Sequence, residues 1–292
     1  IYTLINLNPT SAMKYTALWR SVGAMSCGSL VTYFAIRLFD GLEPSMLSGG
    51  AQGGKGRAIE PLASGAWRHH WDLDKPQLQK VANGEESSAL RHIILVRHGE
   101  YTRTPNGSHL TELGRRQAER TGQRLREMGL SWDHVVASTM PRAEETAMII
   151  LKQLNLDPLK MKRCTLLPEG TPYPGDPPSK RSARSLDLAY QRDGPRIEAA
   201  FRRYFFRASP EQEHDSYLLI VGHSNVIRYL ILRALQLPPA AWTRLNLNHG
   251  SITWLTVWPS GYVTLRCLGD SGFMPVTEIT HRRPSPAKSG SN

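Results

Sequence analysis

Two histidines and an arginine stand where a folded chain would bring them together. Residues 93–96 are consecutive aliphatic side chains, Ile93, Ile94, Leu95 and Val96, running directly into Arg97, His98 and Gly99. A short, wholly apolar run of this kind predicts a strand buried on both faces, the pattern of a parallel strand in an α/β sheet. Arg97 and His98 then lie at its carboxyl end, which opens into the ligand crevice of such sheets, and Gly99 lets the backbone turn there. Residues 217–221 repeat the plan, an apolar run (YLLIV) followed by Gly222 and His223. A lone strand-end histidine is more often a loop-capping residue than a reactive one. Its pairing with Arg97 reverses those odds. A planar guanidinium offers paired N–H donors to the oxygens of a phosphate, and neutral imidazole is a nucleophile towards phosphorus.

The elements that must position these residues follow from local pattern. After the first strand a Pro/Asn/Gly turn spans 104–108. Thr111 then caps a helix in which Leu113, Ala118, Thr121, Leu125 and Met128 keep helical spacing up to Gly129. A strand is predicted over 134–138, leading through Pro141 and Arg142 into a helix over 143–154. A further strand over 163–167 exits at Glu169 into a Pro-rich loop that runs to 185. An amphipathic helix over 196–207, a helix over 226–235 fed by the His223 strand, and a hairpin of 252–258 with 262–268 complete the pattern. Strand and helix alternate, so the expected fold is α/β with a mostly parallel central sheet flanked by helices and an antiparallel edge.

Composition bounds the rest. The chain has 292 residues, 40% of them apolar, enough for a core of ordinary size, and a formal charge of +11. Its basic residues are interspersed with acids and form no aromatic-interleaved stripe, which argues against nucleic acid. Cys27, Cys164 and Cys267 are far apart, so neither a disulfide framework nor a CxxC site is indicated. Residues 1–39 contain no Asp or Glu, carry Lys14, Arg20 and Arg37, and include the charge-free stretch 21–36. That pattern predicts an N-terminal targeting and transmembrane anchor, extended at both ends by snorkelling arginines, and suits mitochondrial import. Residues 40–87 read as a flexible linker, rich in Gly, Ser and Pro over 40–66, that carries Trp67 and Trp71. These tryptophans would bury against the chain's own domain or against another copy. His69 and His70 lack the further ligands a metal site needs. The folded domain is expected over 88–280, and the basic tail 281–292 as disordered.

Carboxyl ends of parallel strands share one sheet edge, so Arg97, His98, Arg142, Glu169 and His223 are expected to converge on one crevice. Singly, Arg142 would be a helix-start surface residue and Glu169 a solvated loop acid. Together the five describe phosphoryl transfer. His98 attacks phosphorus in line, Arg97, Arg142 and protonated His223 hold the equatorial oxygens, and Glu169 protonates the leaving oxygen and later serves as base for water. Three cations balance the developing charge, so no metal or other cofactor is required.

The same residues carry a resemblance. Arg97-His98-Gly99-Glu100, then Leu110, Thr111, Gly114, Gln117 and Ala118, then Ser138, Thr139, Arg142, Ala143, Thr146 and Ala147, and finally Gly222-His223 resemble, in order, the four signatures of the histidine phosphatase (phosphoglycerate mutase-like) superfamily. The resemblance implies the roles already argued for His98, Arg97, Arg142, Glu169 and His223. Residues 196–202 (RIEAAFR), 225–229 (NVIRY), 233–236 (RALQ), 250–253 (GSIT) and 268–275 (LGDSGFMP) are similar to the mitochondrial serine/threonine protein phosphatases within it. That group implies phosphorylated protein substrates, a mitochondrial membrane location, and a tryptophan-aspartate motif that drives assembly. Residues 67–72 are similar to that motif, with Arg68 where an Asp is expected and His70 where an Asn is. The expected function is therefore a membrane-anchored phosphatase of phosphoserine and phosphothreonine in proteins, self-assembling through Trp67 and Trp71. A small-molecule phosphatase or mutase and an interaction scaffold with secondary catalysis remain the alternatives.

Overall fold

The computed structural model describes residues 67–105, 107–178 and 182–281. The 21–36 stretch and the segment from 282 on lie outside them, and among the described residues no helix is long and apolar enough to cross a membrane. In chain order the strands are β1 (Arg91–Arg97), β2 (Tyr101–Thr104), β3 (Gly107–Leu110), β4 (His134–Ser138), β5 (Met161–Cys164), β6 (Ser216–Gly222), β7 (Ile252–Val257) and β8 (Val263–Asp270). The helices are α1 (Lys75–Ala82), α2 (Glu112–Glu127), α3 (Pro141–Gln153), α4 (Ala183–Tyr204) and α5 (Ser224–Ala234). Six strands form one sheet in the order β5-β4-β6-β1-β7-β8, while β2 and β3 pair as a separate hairpin. The first four strands of that order are parallel, and β7 and β8 close the far edge antiparallel.

The unbroken apolar run of β1 is explained by its two neighbouring layers. Ile93 and Leu95 pack with Ile197 and Phe201 of α4 and Leu230 of α5 on one face. Ile94 and Val96 pack with Leu125 of α2 and Ala147, Ile150 and Leu151 of α3 on the other. All four β1 side chains are fully buried, each worth about 2 kcal/mol of removed apolar surface.

Several boundaries differ from the sequence reading. The β2–β3 hairpin flanks the expected 104–108 turn, but its polar strands (YTRT, GSHL) carry no apolar alternation to announce them. The strand expected over 163–167 lies at Met161–Cys164, so Glu169 sits on a loop rather than at the strand's exit. The helix expected from 196 begins at Ala183 and runs through Pro195, which ordinarily marks a first turn.

The expected linker also ends earlier than 87. Trp71 lies against Phe201 with ring centroids 5.5 Å apart, and its Nε1–H donates to the Gly261 carbonyl at 2.7 Å. Trp67 meets Tyr262 at 5.3 Å. Asp72, whose side chain is fully buried, accepts from the Arg207 guanidinium at 2.7 Å and from the Arg207 backbone N–H at 2.7 Å. Asp74 then caps α1 in a reciprocal capping box with Gln77. Both tryptophans are thus seated on their own chain, where apolar contact and a buried ion pair outweigh the disorder that the preceding glycines suggested. Removing one partner of a buried pair strands the other charge, so Asp72→Ala should destabilise the domain by about 3 kcal/mol in chemical denaturation. An unchanged midpoint would mean that residues 67–72 are not held there.

Candidate active site

Register brings the two histidines together. β1 and β6 pair with Arg97 opposite Gly222, so His98 and His223 leave adjacent strands at the same level, and the His98 N–H donates to the Gly222 carbonyl at 2.9 Å. Their rings lie 5.1 Å apart. β4 pairs with β6 one residue short of this level, Ala137 opposite Val221, and the next residue, Ser138, has its Oγ 2.8 Å from His223 Nε2. Arg142 enters from the first turn of α3 and Ser224 begins α5. Neither N-cap residue, Met140 or His223, caps its helix with its side chain.

His98 is held in one orientation and one tautomer. Its Nδ1–H donates to the Gly99 carbonyl at 2.7 Å, leaving a lone pair on Nε2. Arg142 Nε–H donates to that Nε2 at 3.1 Å. Burial foremost, with the neighbouring His223 ring and the Arg142 and Arg97 charges disfavouring a further cation, pushes the His98 pKa well below 6.5, so the ring is neutral. Tyr101 crosses it edge-on at 5.1 Å and lies under the Arg142 guanidinium at 4.5 Å.

Arg97 is 4% exposed and nevertheless charged, its pKa lowered by burial to about 10. It donates through Nη1 to the Leu247 carbonyl and through Nη2 to His249 Nε2 at 2.8 Å. His249, pushed to about 3 by burial and by Arg97, donates from Nδ1 to Thr280 Oγ1 at 2.9 Å, which orients the acceptor towards the arginine.

His223 differs from expectation. It is fully buried, and burial followed by Arg142 and Arg97 drives its pKa well below 6.5, so it is neutral at neutral pH rather than protonated. Its Nδ1 has no hydrogen-bond partner among the described residues, and neither has Arg97 Nε. A buried guanidinium N–H and a buried imidazole nitrogen without partners suit an oxyanion ligand.

Glu169 reaches the same space from its loop. It accepts from the Gly170 N–H at 3.3 Å and weakly from the Asn225 N–H at 3.5 Å, while Asn225 Nδ2 donates to the Gly170 carbonyl at 2.9 Å to fix the loop. Burial raises its pKa above the usual carboxylate range, against the lowering pull of those N–H groups and of Arg142 and Arg228. A cavity of about 460 Å³ is bordered by Arg97, His98, Tyr101, Arg142, Glu169 and Arg228. Four of the five expected residues therefore line one cavity, and the ring of the fifth, His223, lies 5.1 Å from that of His98. Tyr101, His249 and Arg228 were not legible, because each earns its place through tertiary contact rather than a local pattern.

Residues 93–165 and 178–270 match the model of the histidine phosphatase superfamily, branch 1. The chain belongs to this superfamily. The serine/threonine-protein phosphatase Pgam5, mitochondrial, of Drosophila pseudoobscura pseudoobscura is 46% identical over 291 residues, covering 92% of this chain and 99% of that protein. Its counterpart in Drosophila virilis is equally similar over the same shares. Among solved structures, a phosphoglycerate mutase from Plasmodium falciparum is 31% identical, covers 70% of this chain and 99% of its own, and has a TM-score of 0.45.

Within this histidine phosphatase domain, the stretches that resembled the second and third superfamily signatures clamp the loop after β1. The Gly99 N–H donates to Thr146 Oγ1 at 3.1 Å, and the Glu100 N–H to Gln117 Oε1 at 2.7 Å. The Thr111 N–H donates to the Glu100 carbonyl at 3.0 Å, while Thr111 caps α2 by accepting from the Gly114 N–H at 3.0 Å. Gly114 is required by close approach: a Cβ there would stand 2.0 Å from the Glu100 carbonyl oxygen, and one on Gly99 would stand 2.4 Å from that of Gly114. Gly114→Ala improves helix propensity, so any loss must come from the displaced loop. We expect it to lower kcat/KM on para-nitrophenyl phosphate by about 100-fold. Wild-type activity in the folded variant would show that the clamp does not position His98.

Proposed function

We propose that this protein hydrolyses phosphoserine and phosphothreonine in proteins through a phosphohistidine on His98. The observation that carries the chemistry is the neutral His98 Nε2, its lone pair aimed at Arg142 in a cavity where buried arginines outnumber carboxylates. In the first step Nε2 donates its electron pair to phosphorus while the ester P–O bond breaks and the Glu169 carboxyl gives its proton to the leaving oxygen. Arg97, Arg142 and His223 Nδ1 bind the equatorial oxygens, the phosphate dianion raising the proton affinity of His223 as it enters. In the second step water attacks phosphorus, its proton passes to the Glu169 carboxylate, the P–N bond breaks, and inorganic phosphate leaves with His98 neutral again. The raised pKa of Glu169 suits a group that must alternate between acid and base.

The protein substrate class and a mitochondrial location are supported by relatives that carry both in their names and match nearly their whole length. The acid-free stretch 21–36 is the proposed single-pass anchor, and 88–280 the catalytic domain. Self-assembly through Trp67 and Trp71 would require copies to exchange the contacts these residues make with their own domain.

Rapid quenching of the full chain with a ³²P-labelled phosphoserine peptide tests the proposal. The expected result is an acid-labile label on His98, absent in His98→Ala. Phosphate release without label on any histidine, or undiminished release by His98→Ala, would overturn it.

A further inference from the structure

We propose that the cleft beside the catalytic cavity binds an acidic side chain flanking the phosphorylated residue, so that the enzyme prefers acidic phosphopeptides; this rests on the protein-phosphatase reading. A second cavity of about 640 Å³ adjoins the catalytic one and shares Arg103, Glu169 and Asn225 with it. The second cavity thus meets the catalytic one along these three residues. Its far side is the first half of α4, which presents Arg184, Leu188 and Arg192.

The charge balance of this cleft is positive. Its carboxylates are Glu169, which burial pushes towards the neutral form, and Asp193. Asp193 is already satisfied. Arg192 donates to it through Nε and Nη2 at 3.0 Å each, the Thr171 N–H donates at 2.9 Å, and Arg196 lies 3.5 Å away. Two guanidinium groups thus face one carboxylate. Arg103 and Arg184, both exposed, make no ion pair among the described residues. A carboxylate on the substrate is the group that complements them, while Leu188, 58% exposed, gives the same peptide an apolar contact. The occupant is a peptide rather than a compact metabolite, because the phosphate site and the arginines of α4 line different, adjoining cavities, and a peptide is long enough to reach both.

Arg184, Leu188 and Arg192 sit outside the phosphate cavity, so they set preference rather than chemistry. Rim guanidinium groups steer and select by long-range attraction that salt screens.

The test is kcat/KM of the full chain, in detergent, for matched phosphoserine peptides whose flanking positions on either side carry glutamate or glutamine, with para-nitrophenyl phosphate as reference. The expected glutamate-over-glutamine ratio is about fivefold at low salt, falling towards unity at high salt. In Arg184→Gln the ratio falls while the para-nitrophenyl phosphate reference verifies an intact site. Equal kcat/KM for the two peptide sets in the wild type, or an unchanged ratio in Arg184→Gln, overturns the subsite and leaves the protein-phosphatase reading standing. Cleavage of para-nitrophenyl phosphate with none of any phosphopeptide overturns that reading, and the subsite with it.

Discussion

A buried imidazole that must stay neutral among cations is the constraint on which the rest of the site depends. His98 lies among Arg97 and Arg142, and the hydrogen bond from Arg142 Nε–H to its Nε2 exists only while that nitrogen keeps its lone pair. Protonation would add a charge to a dry pocket already rich in positive charge. In the proposed function the same crowding favours a phosphate dianion in this cavity. Arg97 Nε and His223 Nδ1, which have no partners among the described residues, are the groups proposed to receive it. Affinity for the anion and readiness of the nucleophile thus have one origin.

Backbone geometry makes this crowding possible. Parallel pairing of β4, β6 and β1 ends three strands at one level, which delivers Ser138, His223 and His98 side by side. The loop after β1 is then held from outside the sheet by Thr111, Gly114, Gln117 and Thr146, residues on two different helices. Gln117 also donates to the Glu278 carbonyl and Thr280 Oγ1, so the C-terminal segment that orients His249 leans on the same side chain. A change at any of these positions moves His98 or Arg97 without touching substrate.

What was legible in the sequence was what a strand end announces. Arg97, His98 and His223 follow fully apolar runs, and Arg142 follows a strand and a proline, so their convergence was readable from order alone. Glu169 was found despite a misplaced strand, because its loop rather than its strand carries it to the cavity. The β2–β3 hairpin was missed since its polar strands bury almost nothing, yet it supplies Tyr101 and Arg103. The start of α4 was hidden by Pro195, whose usual position at a helix start argued for 196. The protonation of His223 could not be read at all, because it follows from burial and from arginines distant in sequence.

Side-chain ¹⁵N NMR of His98 as a function of pH tests the central claim most directly. The hydrogen bonds predict a neutral ring with Nδ1 protonated and Nε2 bare. The depressed pKa means that state persists as pH falls through about 6.5, where an ordinary imidazole gains its proton. Protonation of His98 near that value, or a proton on Nε2 of the neutral ring, would contradict the claim that burial among cations prepares the nucleophile.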